Sequence, residues 1–137
     1  MFLRAIAPLS VVALLAAAPS CPQPLGSAEL AGPWGGEHIA LVVSESGAII
    51  EYDCARGTID APLRAVASGR FTASGTHIRE HGGPVHEGEV PDVHPAEYTG
   101  LVRGDRMTLT VRETDTDTTI GTFTLRRGVD ARVFKCL

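Results

Sequence analysis

Beyond Trp34 the chain alternates apolar and polar residues with a period of two, and no period of 3.6 is sustained. In "EHIALVVS" the alternation puts Ile39, Leu41 and Val43 on one face. "ESG" turns the chain, and "AIIEYDC" puts Ile50, Tyr52 and Cys54 together, with Glu51 and Asp53 opposite. A turn is expected at Cys54-Ala55-Arg56-Gly57. "GRFTASG" reads as a short strand around Phe71, followed by "THIREH". "EYTGLVR" and "RMTLTVRE" flank Gly104-Asp105, a two-residue hairpin signal. In the second of these, Met107, Leu109 and Val111 point one way while Arg106, Thr108, Thr110 and Arg112 point the other. "TIGTFTLRR" and "ARVFKC" complete the pattern, joined by "GVD". Seven or eight short strands punctuated by Gly and Pro predict an all-β fold, a small antiparallel meander barrel or a sandwich. One face of each strand is apolar, so the other should meet water.

The N-terminus breaks this pattern. Arg4 precedes an apolar run from Ala5 to Ala18, interrupted only by Pro8 and Ser10. That run is shorter than the roughly 20 residues a membrane-spanning helix needs. A basic start, a short apolar run and small residues at its end describe a secretory signal. The expected division is a signal over residues 1–20, a Pro/Gly-rich tether over 21–33 and one β domain over 34–137. "APSC" resembles a bacterial lipobox, whose cysteine is diacylated, although Pro19 departs from it and Ala18 stands where Leu is usual. An ordinary signal peptidase could cut the same bond, or cut after Ala28 and discard Cys21.

Export changes how the three cysteines are read, because thiols outside the cytoplasm are usually paired. Cys54 and Cys136 each close a strand-like run inside the folded part and form the natural disulfide. Cys21 is then the odd one out, as a lipidated cysteine would be. Without residues 1–20 the chain carries 11 basic and 16 acidic side chains, with Lys135 its one lysine. A net charge of −5 with no basic block argues against nucleic acid as a partner. Membrane contact would therefore come through the anchor on Cys21.

Gly32-Pro33-Trp34 in "LAGPWGG" resembles the Gly-x-Trp that opens the first strand of lipocalin, avidin and bacterial metalloprotease-inhibitor barrels. "SAELAGPW" is similar to the opening of the last group. The resemblance covers fewer than ten residues. It implies that Gly32 and Trp34 mark one barrel end, with Trp34 packing on a basic side chain from a late strand, Arg132 being the candidate.

The densest polar stretch is "THIREHGGPVHEGEVPDVHPAEY", which carries His77, His81, His86 and His94 among Glu80, Glu87, Glu89 and Asp92. Histidine with carboxylate is transition-metal chemistry, and His81, His86 and His94 are the candidate ligands. His77-Ile78-Arg79-Glu80-His81 fits H-x-x-E-H, but that chemistry needs a helix. On a strand, positions four apart lie roughly 13 Å apart and cannot chelate one ion. "HGG" lacks a partner G-x-S-x-G elbow, and "DTDTTIG" (Asp115–Gly121) misplaces the glycine of a calcium loop and lacks its closing glutamate. No phosphate loop or dinucleotide fingerprint occurs. The expectation is a non-enzymatic binding or structural module of the cell envelope, in the periplasm or at the cell surface, without a cofactor. Its partner would be a small apolar ligand or another envelope protein, with Ala40, Ala48, Gly100 and Gly121 marking where a lumen could open. The alternatives are inhibition of an exported protease by the "LGSAELAG" arm, and metal binding by the His-rich loop.

Overall fold

The alternating segments become strands that close on themselves. A computed structural model describes residues 17–137, apart from the side chains of Ser27 and Ala28. The expected signal segment falls mainly on residues 1–16, outside the described residues. A short helix α1 (Ser27–Leu30) precedes β1 (Gly32–Gly36), β2 (Ile39–Val43), β3 (Ala48–Tyr52) and β4 (Ala55–Ile59). Then follow β5 (Arg70–Arg79), β6 (Asp92–Arg103), β7 (Arg106–Glu113) and β8 (Thr118–Arg127). Each strand pairs antiparallel with the next and β8 returns to β1, giving an eight-stranded closed meander barrel rather than a sandwich.

The inward register is the one the period-two pattern predicts. Ile39, Leu41, Val43, Ile50, Tyr52, Met107, Leu109 and Val111 are all buried. Gly104 turns between the paired Arg103 and Arg106 with φ of 59°, which only glycine adopts at no cost. Two segments depart from expectation. Residues 55–59, expected to begin as a turn, form β4, because the reversal is completed by Asp53 and Cys54. "ARVFKC" is not a strand, since its only ladder contact is a parallel bridge from Glu37 to Arg132.

Residues expected to be tether belong in part to the barrel. Leu25 and Ala65 exchange backbone hydrogen bonds of 2.9 and 2.8 Å, and Leu30 is completely buried. A four-residue helix leaves its last carbonyls without internal partners. Side chains from the barrel satisfy them. Trp34 Nε1 donates to Leu30 O at 2.9 Å, and the Arg127 guanidinium donates to Glu29 O at 2.7 Å and Ala31 O at 3.2 Å. Arg127 also lies over the Trp34 ring, 4.3 Å from its centroid. The basic partner of Trp34 is thus Arg127, not Arg132. Direct pairing of Trp34 with Arg127 across the closing seam fixes that choice, while Arg132 lies beyond β8 and pairs with Glu37 at 3.2 Å.

The C-terminal tail is strapped to the opposite end. Cys54 and Cys136 form a disulfide, with Cα atoms 5.2 Å apart. Phe134 N donates to Asp53 Oδ1 at 2.9 Å, and Lys135 Nζ donates to Ala55 O at 2.9 Å. The bridge closes a loop of 82 residues. Breaking it with Cys54→Ser/Cys136→Ser should cost about 2–4 kcal/mol, measured by urea unfolding. Removing the cation over the sole tryptophan, as Arg127→Ala, should red-shift Trp34 fluorescence and cost about 1 kcal/mol.

Candidate functional site

The barrel ends differ in chemistry. At one end Leu30, Trp34, Leu63 and Ala65 form an apolar plug. At the other, the inward register of three strands runs out into charge. On β7, Met107, Leu109 and Val111 are followed in the same phase by Glu113, which is completely buried. On β6, His94 continues inward from Tyr98 and Ala96, and on β5 His77 stands directly opposite it. A register shift after Val111 makes its partner Gly121 while Arg112 faces Thr119, so Ile120 is an extra residue beside the site.

Glu113 is the centre of this cluster. His77 Nδ1 lies 2.7 Å from its Oε1, and the side chain of His77 is only 4% exposed. Arg79 grips both oxygens, through Nε at 3.0 Å to Oε1 and a second, closer bond to Oε2. Thr116 Oγ1 donates to Oε2 at 2.8 Å. Burial pushes the Glu113 carboxyl up, but the donors Arg79, Thr116 and His77 outweigh it and hold the group down, at about 2. An ionised Glu113 requires a proton on His77 Nδ1. The other ring nitrogen, Nε2, is buried with no hydrogen-bond partner. Below it the Tyr52 ring meets His77 edge-on at 5.3 Å.

His94 sits beside this pair, between carboxylates. Its Nε2 is 2.9 Å from Asp92 Oδ1, and its Nδ1 is 2.8 Å from Asp115 Oδ2 and 3.9 Å from Glu113 Oε2. The hydrogen bond with Asp115 raises its pKa more than burial lowers it. The histidines expected to share a metal are separated by the fold. His81 Nε2 pairs with Glu89 and its Nδ1 lies 2.9 Å from Gly82 O, so the loop between β5 and β6 is tied to itself. His86 stays in that exposed loop, where its backbone N–H donates to Glu89. Of the three, only His94 joins the cluster. The H-x-x-E-H pair separates likewise, His77 inside the barrel and His81 beyond the end of β5.

Comparison with protein-family models, with curated proteins and with solved structures finds no match to this chain. The arrangement must therefore be read from its own geometry. It is a charged stopper: a buried carboxylate held by one guanidinium, one imidazole and one hydroxyl, flanked by a second histidine between two more carboxylates. The histidine density of "THIREH" and the loop after it does not point to Glu113. The available signal was phase, since a glutamate in register with three buried apolar residues must either end the strand or find partners inside.

The folded-state pKa of Glu113 lies below the unfolded value of about 4.3, so the stabilisation is complete above that pH and is lost as pH falls toward 2. Melting temperature should therefore drop between about pH 5 and pH 2, and Glu113→Gln should flatten that part of the curve while lowering stability at pH 7.

Proposed function

We propose that this protein is an exported, lipid-anchored, non-enzymatic binding module of the bacterial cell envelope, lipocalin-like in build but working through its surface and charged end rather than through an apolar lumen. The observation that carries this reading is how the lumen is filled. A Cβ at Gly100 would collide with the Phe71 ring, and one at Gly57 with the Tyr98 hydroxyl. Phe123 covers Gly121, Ala48 is buried against the core, and Ala40 alternates outward. The inward glycines at which an interior ligand could have been admitted are covered by the protein's own rings. The surface offers more. Val42 and Ile49, direct cross-strand partners, are 52% and 61% exposed, and a cleft of about 400 Å³ lies under the loop between β5 and β6.

The Gly-x-Trp resemblance is supported by the Trp34–Arg127 contact. Anchoring is supported by Cys21, exposed and unpaired while the other two cysteines are bonded. Cleavage after Ala28 would remove Leu25, which is paired with Ala65, so the earlier cut suits the fold better. Glu113, held ionised by Arg79, Thr116 and His77, acts at the charged end as a permanent counter-ion rather than as an acid or base near neutrality. The inhibitor reading gains no support, because Leu25 and Leu30 of its arm are engaged by the barrel.

Intact mass of the membrane-extracted protein should give a chain starting at Cys21 with a diacylglyceryl adduct, and Cys21→Ser should move it to the soluble fraction. A chain starting at Glu29 overturns the anchor. An apolar fluorescent probe should show no saturable binding to the native barrel. Phe71→Ala should open a dry cavity that binds it and cost about 3–4 kcal/mol. Saturable binding by the native barrel overturns the filled lumen.

A further inference from the structure

The charged stopper has more ligand chemistry than closing a barrel requires. His94 Nδ1 lies 2.8 Å from Asp115 Oδ2 and 3.9 Å from Glu113 Oε2, and one ligand atom from each of the three residues lies within 4.8 Å of the others. They come from β6, the end of β7 and the turn after it, so the barrel itself holds two of the three in place. Metal bonds to nitrogen and carboxylate oxygen are about 2.0–2.2 Å long, which spaces ligand atoms roughly 3–4 Å apart. Small side-chain shifts bring this set into that range.

The supporting residues are those that orient metal ligands. Asp92 takes the Nε2 side of His94 at 2.9 Å and turns Nδ1 toward the two carboxylates. A carboxylate on the far nitrogen of an imidazole is what fixes a metal-binding histidine. His77, at 2.7 Å from Oε1, orients Glu113 in the same way and leaves Oε2 toward His94. The position is also sheltered, with the His94 side chain 14% and the Glu113 side chain 0% exposed, so two of the three ligands are already held out of bulk water.

We propose that this end of the barrel binds a divalent transition-metal ion of the zinc class on His94 Nδ1, Glu113 Oε2 and Asp115 Oδ2, with Asp92 and His77 as positioning residues. One imidazole and two carboxylates suit zinc, cobalt or manganese, and three protein ligands leave a position for water or a partner's side chain. Arg79 and Thr116 both donate to Glu113 Oε2 and compete with the ion for it. The Arg79 side chain is 44% exposed, so it can swing outward when the ion enters. The loop histidines His81 and His86 take no part. The proposal goes beyond the anchoring reading and stands or falls without it, since metal binding does not depend on where the chain is delivered.

The test is a titration of the purified full chain in detergent with Zn²⁺ by calorimetry and with Co²⁺ by visible absorption. The expected result is one equivalent bound at micromolar affinity, with a d–d band from mixed nitrogen and oxygen ligands. His94→Gln and Asp115→Asn should abolish it, and Asp92→Asn should weaken it about tenfold. His81→Ala/His86→Ala should leave it unchanged. Arg79→Gln should tighten it, a gain that a purely structural cluster would not give. Asp115 is exposed, so its variant keeps the fold, which an unchanged circular dichroism spectrum verifies. No saturable binding below millimolar metal overturns the proposal, and so does binding that survives His94→Gln but is lost with His81 and His86. Either failure leaves the filled lumen and the lipid anchor untouched.

Discussion

The structure depends on one seam. β1 meets β8 through three residues on each side, Trp34–Gly36 against Leu125–Arg127, where β5 and β6 share ten register pairs. Without that seam the sheet has two free edges and no interior. The chain reinforces it from both ends. Arg127 leaves β8 to cover Trp34 and to satisfy the carbonyls of α1. Beyond β8 the tail folds back along β1, exchanging backbone bonds of 3.0 and 2.7 Å with Gly36 and His38 through Arg132. The glycines of "GPWGG" make this approach possible, since a side chain at Gly35 would collide with the backbone at Val129 and Ala131. A glycine-rich strand is a poor strand former by propensity, and here close approach of backbone outweighs that.

Closure creates two ends to be sealed, and they are sealed by different physics. The apolar plug around Leu30 and Trp34 excludes water by area alone. The charged stopper must balance itself. A carboxylate as buried as Glu113 is tolerated only with strong donors, and a cluster of this kind is weak support for net stability but a strong constraint on geometry. It holds β5, β6 and β7 in a single register at their ends, because a slip of one residue would turn Glu113 to the outside and leave Arg79 and His77 without it. A binding site built on those strand ends inherits the same rigidity.

Much of this was legible in the linear pattern. The inward residues of β2, β3 and β7, the Gly104 hairpin, the Cys54–Cys136 pair and the barrel itself follow from alternation, turn chemistry and cysteine arithmetic. The failures share a cause. β4 was hidden because "ARGTI" places a glycine where alternation wants an apolar residue, and Tyr98 from β6 supplies the missing bulk. Nothing local distinguishes Arg127 from Arg132, two arginines near the end of a strand. The histidine density of the loop after β5 does not mark a site, because His81 and His86 are spent on contacts within it or exposed.

Period, turns and composition act between residues close in sequence, so the sequence by itself determined most of the strands, their inward faces, the cysteine left unpaired and the acidic character of the chain. Which charges meet is a different kind of question. His77 and Glu113 are 36 residues apart, and Trp34 and Arg127 lie on the first and last strands. Only closure of the barrel brings these pairs together, because the shear and register of the closed sheet decide which inward positions share a level. The tertiary structure therefore decided that Phe71, Tyr98 and Phe123 lie over the inward glycines, that His94 rather than its loop neighbours faces the carboxylates, and that one glutamate at the end of an apolar phase organises the polar end.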